Sequence, residues 1–144
     1  MSYAIDANVL LYASNSASPE RDQALDFLTR CAQRSEVMCV AAGTLMAFLR
    51  ISTHPSIFPK PLSWRDAVAN LEALLSLPHV RVIHDAEGFW EVFLSVVKAP
   101  ARGNLVSDAH LAAVLKQNGV TTLFTNDADF RRFDFLTVKN PFAE

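Results

Sequence analysis

No stretch of this chain approaches the roughly 20 consecutive apolar residues that a helix needs to cross a bilayer, because charges or prolines interrupt every candidate. A membrane-spanning protein is not expected. The opening MSYAIDANVLLYA has no basic leader, no small-residue cleavage site behind it, and an aspartate inside its apolar run, so it does not read as a secretory signal. A cytoplasmic location is the expectation. Cysteine is scarce: Cys31 and Cys39 are the only two, too few for a disulfide scaffold, and both fall in segments that read as a helix and a buried strand. They are expected to be reduced and structural. Basic excess is also missing, since 13 Lys and Arg face 15 Asp and Glu for a net charge of −2. That excludes a global electrostatic field for nucleic acid. It does not exclude a local one, because a bound divalent cation reverses the sign of an acidic cluster. Internal repeats and polar low-complexity runs are absent.

What the chain does have is apolar patterning. Its 144 residues are 51% hydrophobic, enough for one well-buried core and too few for two ordinary domains, so residues 1–144 are expected to form a single domain. Short apolar runs at 3–6, 37–40, 80–83, 121–125 and 136–138 predict strands. Helical spacing follows in between: from Asn8, from Ser18 (as cap, with Pro19 at the first helical position), over 43–51, from Ser63 until Pro78, over 87–97, and over 105–117 before Gly119. Prolines at 55, 59 and 61 forbid helix in the loop after Ile51. Strands that alternate with helices need crossover connections, which predicts an α/β fold with a mostly parallel central sheet flanked by helices on both faces.

Ligands of such sheets gather at the carboxyl ends of the strands. Asp6 ends the first predicted strand and Asp127 follows the fourth, so two carboxylates distant in sequence are expected at one edge. Asp108 shares a helix face with Leu111, Ala112 and Leu115, and a carboxylate on an apolar stripe costs several kcal/mol unless it is paired or metal-bound. Helix capping is the competing reading for Asp6 and Asp127. The three acids together point to a hard-metal site of carboxylate and water oxygens, for which Mg2+ or Mn2+ is the fitting ion.

Four blocks then carry a resemblance: YAIDANVLLY from Tyr3, FLRISTHP from Phe48, GNLVSDAHLAA from Gly103, and TNDADF from Thr125. In order and spacing they resemble the successive motifs of PIN-domain ribonucleases of the VapC toxin type. The resemblance spans nearly the whole chain. It implies a PIN-like fold, a Mg2+- or Mn2+-dependent cut in RNA such as tRNA, neutralisation by a VapB-type antitoxin, and a homodimer. By position, Asp6, Asp108 and Asp127 match three of the family's acids, and Asp129 is a nearby accessory. The family's remaining acid is a glutamate on the helix after the second strand. Here VAAGTLMAFL, residues 40–49, offers none, and Gly43 or Ala47 stands in its place. The alternative implied by that gap is a catalytically impaired module that acts by binding RNA or antitoxin. A haloacid-dehalogenase-like phosphohydrolase also uses an aspartate after its first strand, but wants Asp-x-Asp where this chain has Asp6-Ala-Asn8.

Asn8, Asn104, Thr125 and Asn126 are candidates to orient ligands or backbone, with turn formation as the plainer reading. Arg50, Lys98 and Arg102 are candidates to contact RNA phosphates. His54 and His110 are read as surface or structural residues, and Phe89, Trp90 and Phe93 as a core stripe.

Overall fold

The computed structural model describes residues 1–143. Five strands, β1 (Ser2–Ile5), β2 (Val37–Ala41), β3 (Val80–Ile83), β4 (Thr122–Phe124) and β5 (Thr137–Lys139), form one sheet in the order β3-β2-β1-β4-β5, with every pairing parallel. Successive strand side chains point to opposite faces. On one face Tyr3, Ile5, Met38 and Val40 pack with Phe27, Phe48 and Leu71; on the other Ala4, Cys39 and Leu123 pack with Ala109, Ala112 and Leu115. Both faces are therefore covered, the first by α1 (Ala7–Ser14), α2 (Arg21–Ala32), α3 (Ala42–Ser52) and α4 (Trp64–Leu75), the second by α5 (Phe89–Val96) and α6 (Asn104–Gln117). Cys31 and Cys39 are buried thiols. No helix among the described residues is long and apolar enough to cross a membrane.

Strand order decides where a ligand can sit. From β1 the chain steps outward to β2 and β3, then returns to the other side of β1 for β4 and β5. The direction of winding reverses between β1 and β4, and the helices that follow these strands leave a crevice at their carboxyl ends. That crevice lies where Asp6 and Asp127 emerge.

Several element boundaries differ from expectation for local reasons. The second helix begins at Arg21, because Ser18 and Pro19 are used in a turn: the Arg21 N–H donates to the Ser18 carbonyl at 3.2 Å and the Ser18 hydroxyl to Glu20 at 2.7 Å. Ser63 does cap α4, accepting from the Asp66 N–H at 3.1 Å. The fifth helix starts two residues late because Gly88 adopts φ 80°, a left-handed conformation that ends the preceding turn. A short 3-10 helix, Ala128–Arg132, follows β4, in keeping with the capping reading of Asp127.

Candidate metal centre

Asp6 is held from three directions. Its N–H donates to the Phe124 carbonyl at 3.1 Å, which ties the end of β1 to β4. Its Oδ1 accepts from the Ala7 N–H at 2.7 Å, capping α1, and its Oδ2 accepts from the Thr125 hydroxyl at 2.8 Å. The capping reading thus holds for Asp6, alongside its place at the sheet edge.

Thr125, 2% exposed, is the hub. Its hydroxyl donates to Asp6 and accepts from Asn8 Nδ2 and from the Asp127 N–H, each at 3.0 Å. One donor and two acceptor sites are a hydroxyl's full capacity. Asn126 extends the network, with its N–H 3.4 Å from Asn8 Oδ1 and its side-chain amide donating to the Tyr12 hydroxyl at 3.1 Å. Asn8, Thr125 and Asn126 therefore hold the loop after β4 against the end of β1. Asp127 caps the 3-10 helix, accepting from the Asp129 N–H at 2.9 Å, and this turn sets the Asp129 carboxylate near those of Asp108 and Asp127.

One oxygen each of Asp108, Asp127 and Asp129 lie within 4.8 Å of one another. Asp129, expected as an accessory, is in this tight group, whereas Asp6 stands beside it as a more buried, hydrogen-bonded neighbour. Electrostatics link all four. Burial, then the charges of Asp127, Asp6 and Asp129, push the Asp108 carboxyl up to about 6, against a smaller opposing pull from Arg132. Burial raises Asp6 as well and the Asp127 charge adds to it, while the bonds from Thr125 and Ala7 pull it down.

An open cavity of about 690 Å³ runs from Asp6 and Asp108 past Gly43, Ala47 and Arg50 to His110. Gly43 and Ala47 lie on one face of α3, one turn apart, and the helix contributes no carboxylate. The remaining sequence candidates fall elsewhere. Asn104, the first residue of α6, is exposed and outside the cavity lining, as is Arg102. Lys98 is bound to Asp134 at 2.6 Å, also outside it. The His54 ring accepts the Ser56 N–H at 3.1 Å, a turn-forming role. Trp90 departs from the expected core stripe: it is 63% exposed and stacks on Phe93 at 5.7 Å, while Phe89 and Phe93 are partly buried against the second core.

Residues 3–136 match the PIN domain family. The chain belongs to that family, in its VapC branch. Ribonuclease VapC48 of Mycobacterium tuberculosis is 37% identical over 144 residues, covering 99% of each chain. Among solved structures, VapBC2 from Rickettsia felis, bound to a DNA fragment from its promoter, superposes with a TM-score of 0.70 at 19% identity over 97% of this chain and 98% of that one. Mycobacterium tuberculosis VapC20, a sarcin-ricin loop cleaving toxin, gives 0.66 at 20% identity over 90% and 92%. These likenesses confirm the parallel PIN-like fold. Nothing in them favours a module that only binds.

The residues suit the divalent cation on which PIN-domain ribonucleases generally depend. All the clustered donors are carboxylate oxygens, the ligands of hard cations, and their mutual repulsion is a cost that a cation would relieve. Asn8 and Thr125 are the supporting groups such a site needs, since they hold Asp6 and the Asp127 backbone in place.

Proposed function

We propose that the chain is a VapC-type endoribonuclease toxin that hydrolyses phosphodiester bonds of a structured RNA such as tRNA, using Mg2+ or Mn2+ held by Asp6, Asp108 and Asp127 with Asp129 beside them. The observation that carries this reading is the position of the acids. Asp108, Asp127 and Asp129 cluster at the β1–β4 crevice beside Asp6, and burial first, then the charges of Asp127, Asp6 and Asp129, raise Asp108 to about 6. Likeness over full length to a named ribonuclease supports the same chemistry.

A bound cation would supply Lewis acidity for a phosphate oxygen and an acidified water. The chain's own residues do the rest. Thr125 and Asn8 keep Asp6 and Asp127 oriented, the core beneath α6 holds Asp108 at the crevice, and Arg50, exposed on the cavity wall, offers a charge to a flanking phosphate. Water, acidified by that cation, is the nucleophile in this reading. A VapB-type antitoxin and a homodimer complete the proposal, and the cytoplasm is where such a toxin meets its RNA. Exposed Trp90 and Leu94 on α5 are one apolar surface available for these contacts.

The test is cleavage of tRNA with Mn2+, with EDTA, and with Asp6→Asn or Asp108→Asn. Mn2+-dependent products that vanish in both variants support the assignment. Products unaffected by either substitution refute it.

A further inference from the structure

His110 stands in α6 two residues beyond Asp108 but faces another part of the cavity. Its Nε2 is 3.1 Å from Asp85 Oδ1 and 3.3 Å from Oδ2, and Asp85 follows β3 at the carboxyl edge of the sheet. Phe89 meets the ring edge-on with centroids 5.2 Å apart. The remaining side of the ring looks toward Gly43: a Cβ built there would lie 3.6 Å from Cε1 and 3.7 Å from Nδ1. A carboxylate only accepts, so Nε2 bears a hydrogen toward Asp85, and in that tautomer Nδ1 is the acceptor of the ring. No protein group among the described residues donates to it.

A half-exposed histidine–aspartate pair adds little to stability, which leaves its fixed orientation without a structural purpose. The proposed chemistry has a corresponding deficit. Attack by water at a metal-bound phosphate makes no use of the ribose 2′-hydroxyl and cannot by itself distinguish RNA from DNA. A contact to that hydroxyl must come from elsewhere in the cavity. A phosphate offers only acceptors, whereas the 2′-hydroxyl offers the donor that Nδ1 lacks.

We propose that His110, oriented by Asp85 and given room by the missing side chain at Gly43, accepts a hydrogen bond from a ribose 2′-hydroxyl beside the scissile phosphate and makes the cavity selective for RNA. His110 is then a specificity-determining residue and Asp85 its positioning residue. The inference rests on the nuclease reading above.

The test compares a short single-stranded RNA oligonucleotide with DNA of the same sequence, by fluorescence anisotropy with Ca2+ in place of Mn2+, and measures Mn2+ affinity separately by calorimetry. Loss of one hydrogen bond predicts that His110→Ala lowers the RNA-over-DNA preference about fivefold to tenfold, with Asp85→Asn changing it less in the same direction. Mn2+ affinity should stay within about twofold of wild type in both, a margin below the value of one ligand contact. Gly43→Ala, whose added Cβ would stand 3.7 Å from Nδ1 on the side from which the hydroxyl must approach, should lower the preference in the same direction and leave Mn2+ affinity unchanged. An undiminished preference in His110→Ala overturns the assignment, and so does equal weakening for RNA and DNA. A wild type that binds no Mn2+ refutes the nuclease reading instead, while the RNA and DNA arms still decide His110.

Discussion

Burial first, and then neighbouring like charges, make the Asp108 carboxylate costly, and the sign of that cost can be measured. Its folded carboxyl lies near 6, above the ordinary 3.8, and Asp6 is raised in the same direction. The folded state therefore binds protons more tightly at these positions than the unfolded chain does. Their stabilising contribution is fully present below about pH 3.8 and is lost as pH rises through about 6. In metal-free protein at pH 7, Asp108→Asn should raise stability on the order of 1 kcal/mol, after allowance for solvent screening of a half-exposed group. Urea titration should show that gain shrink toward pH 4. Mn2+ should raise the melting temperature of the wild type and move that of Asp108→Asn little. Thr125→Val tests the hub. The shape is kept, but the Asp6 carboxylate, Asn8 amide and Asp127 N–H lose a shared partner, and unfolding free energy should fall by about 1–3 kcal/mol. An unchanged denaturation midpoint would remove Thr125 from the account.

Helix α3 is the element that departs from the pattern the resemblance implies. Gly43 and Ala47 both line the cavity, and neither supplies the glutamate that the VapC resemblance leads one to expect. Ala47→Glu should tighten Mn2+ binding by about tenfold, the usual value of one added carboxylate contact, and raise cleavage with it. Calorimetry and a cleavage time course read both effects; weaker Mn2+ binding in the variant would show that the cavity is built around the absence. The helices were mostly readable from the sequence because apolar periodicity survives in α3 and α4, while α6, buried on more than one side, was marked by its stop at Gly119. Their starts were less so. Ser18 has the chemistry of a cap but is spent on a turn, and the late start of α5 depends on the φ of Gly88, which composition does not reveal. Trp90 has core spacing, yet α5 presents it outward.

At the scale of the whole molecule, alternating strands and helices announced a parallel sheet, but not its order. Pairing is non-local, and only the step from β3 back across to β4 creates the crevice. The convergence of Asp6, Asp108 and Asp127 could be anticipated because each adjoins a strand end or interrupts an apolar stripe. Asp129 was anticipated only as an accessory, since its place in the tight group depends on the turn that Asp127 caps. The Asp85–His110 pair was hidden, because it joins α6 to the end of β3 across 25 positions.

The central claim is that these converging carboxylates bind a divalent cation in order to cut RNA. Cleavage of tRNA by the purified chain, followed with and without Mn2+ for wild type, Asp6→Asn and Asp108→Asn, tests it most directly. The account predicts products only for the wild type and only with the cation. Equal cleavage by all three proteins, or cleavage that persists in EDTA, would contradict it.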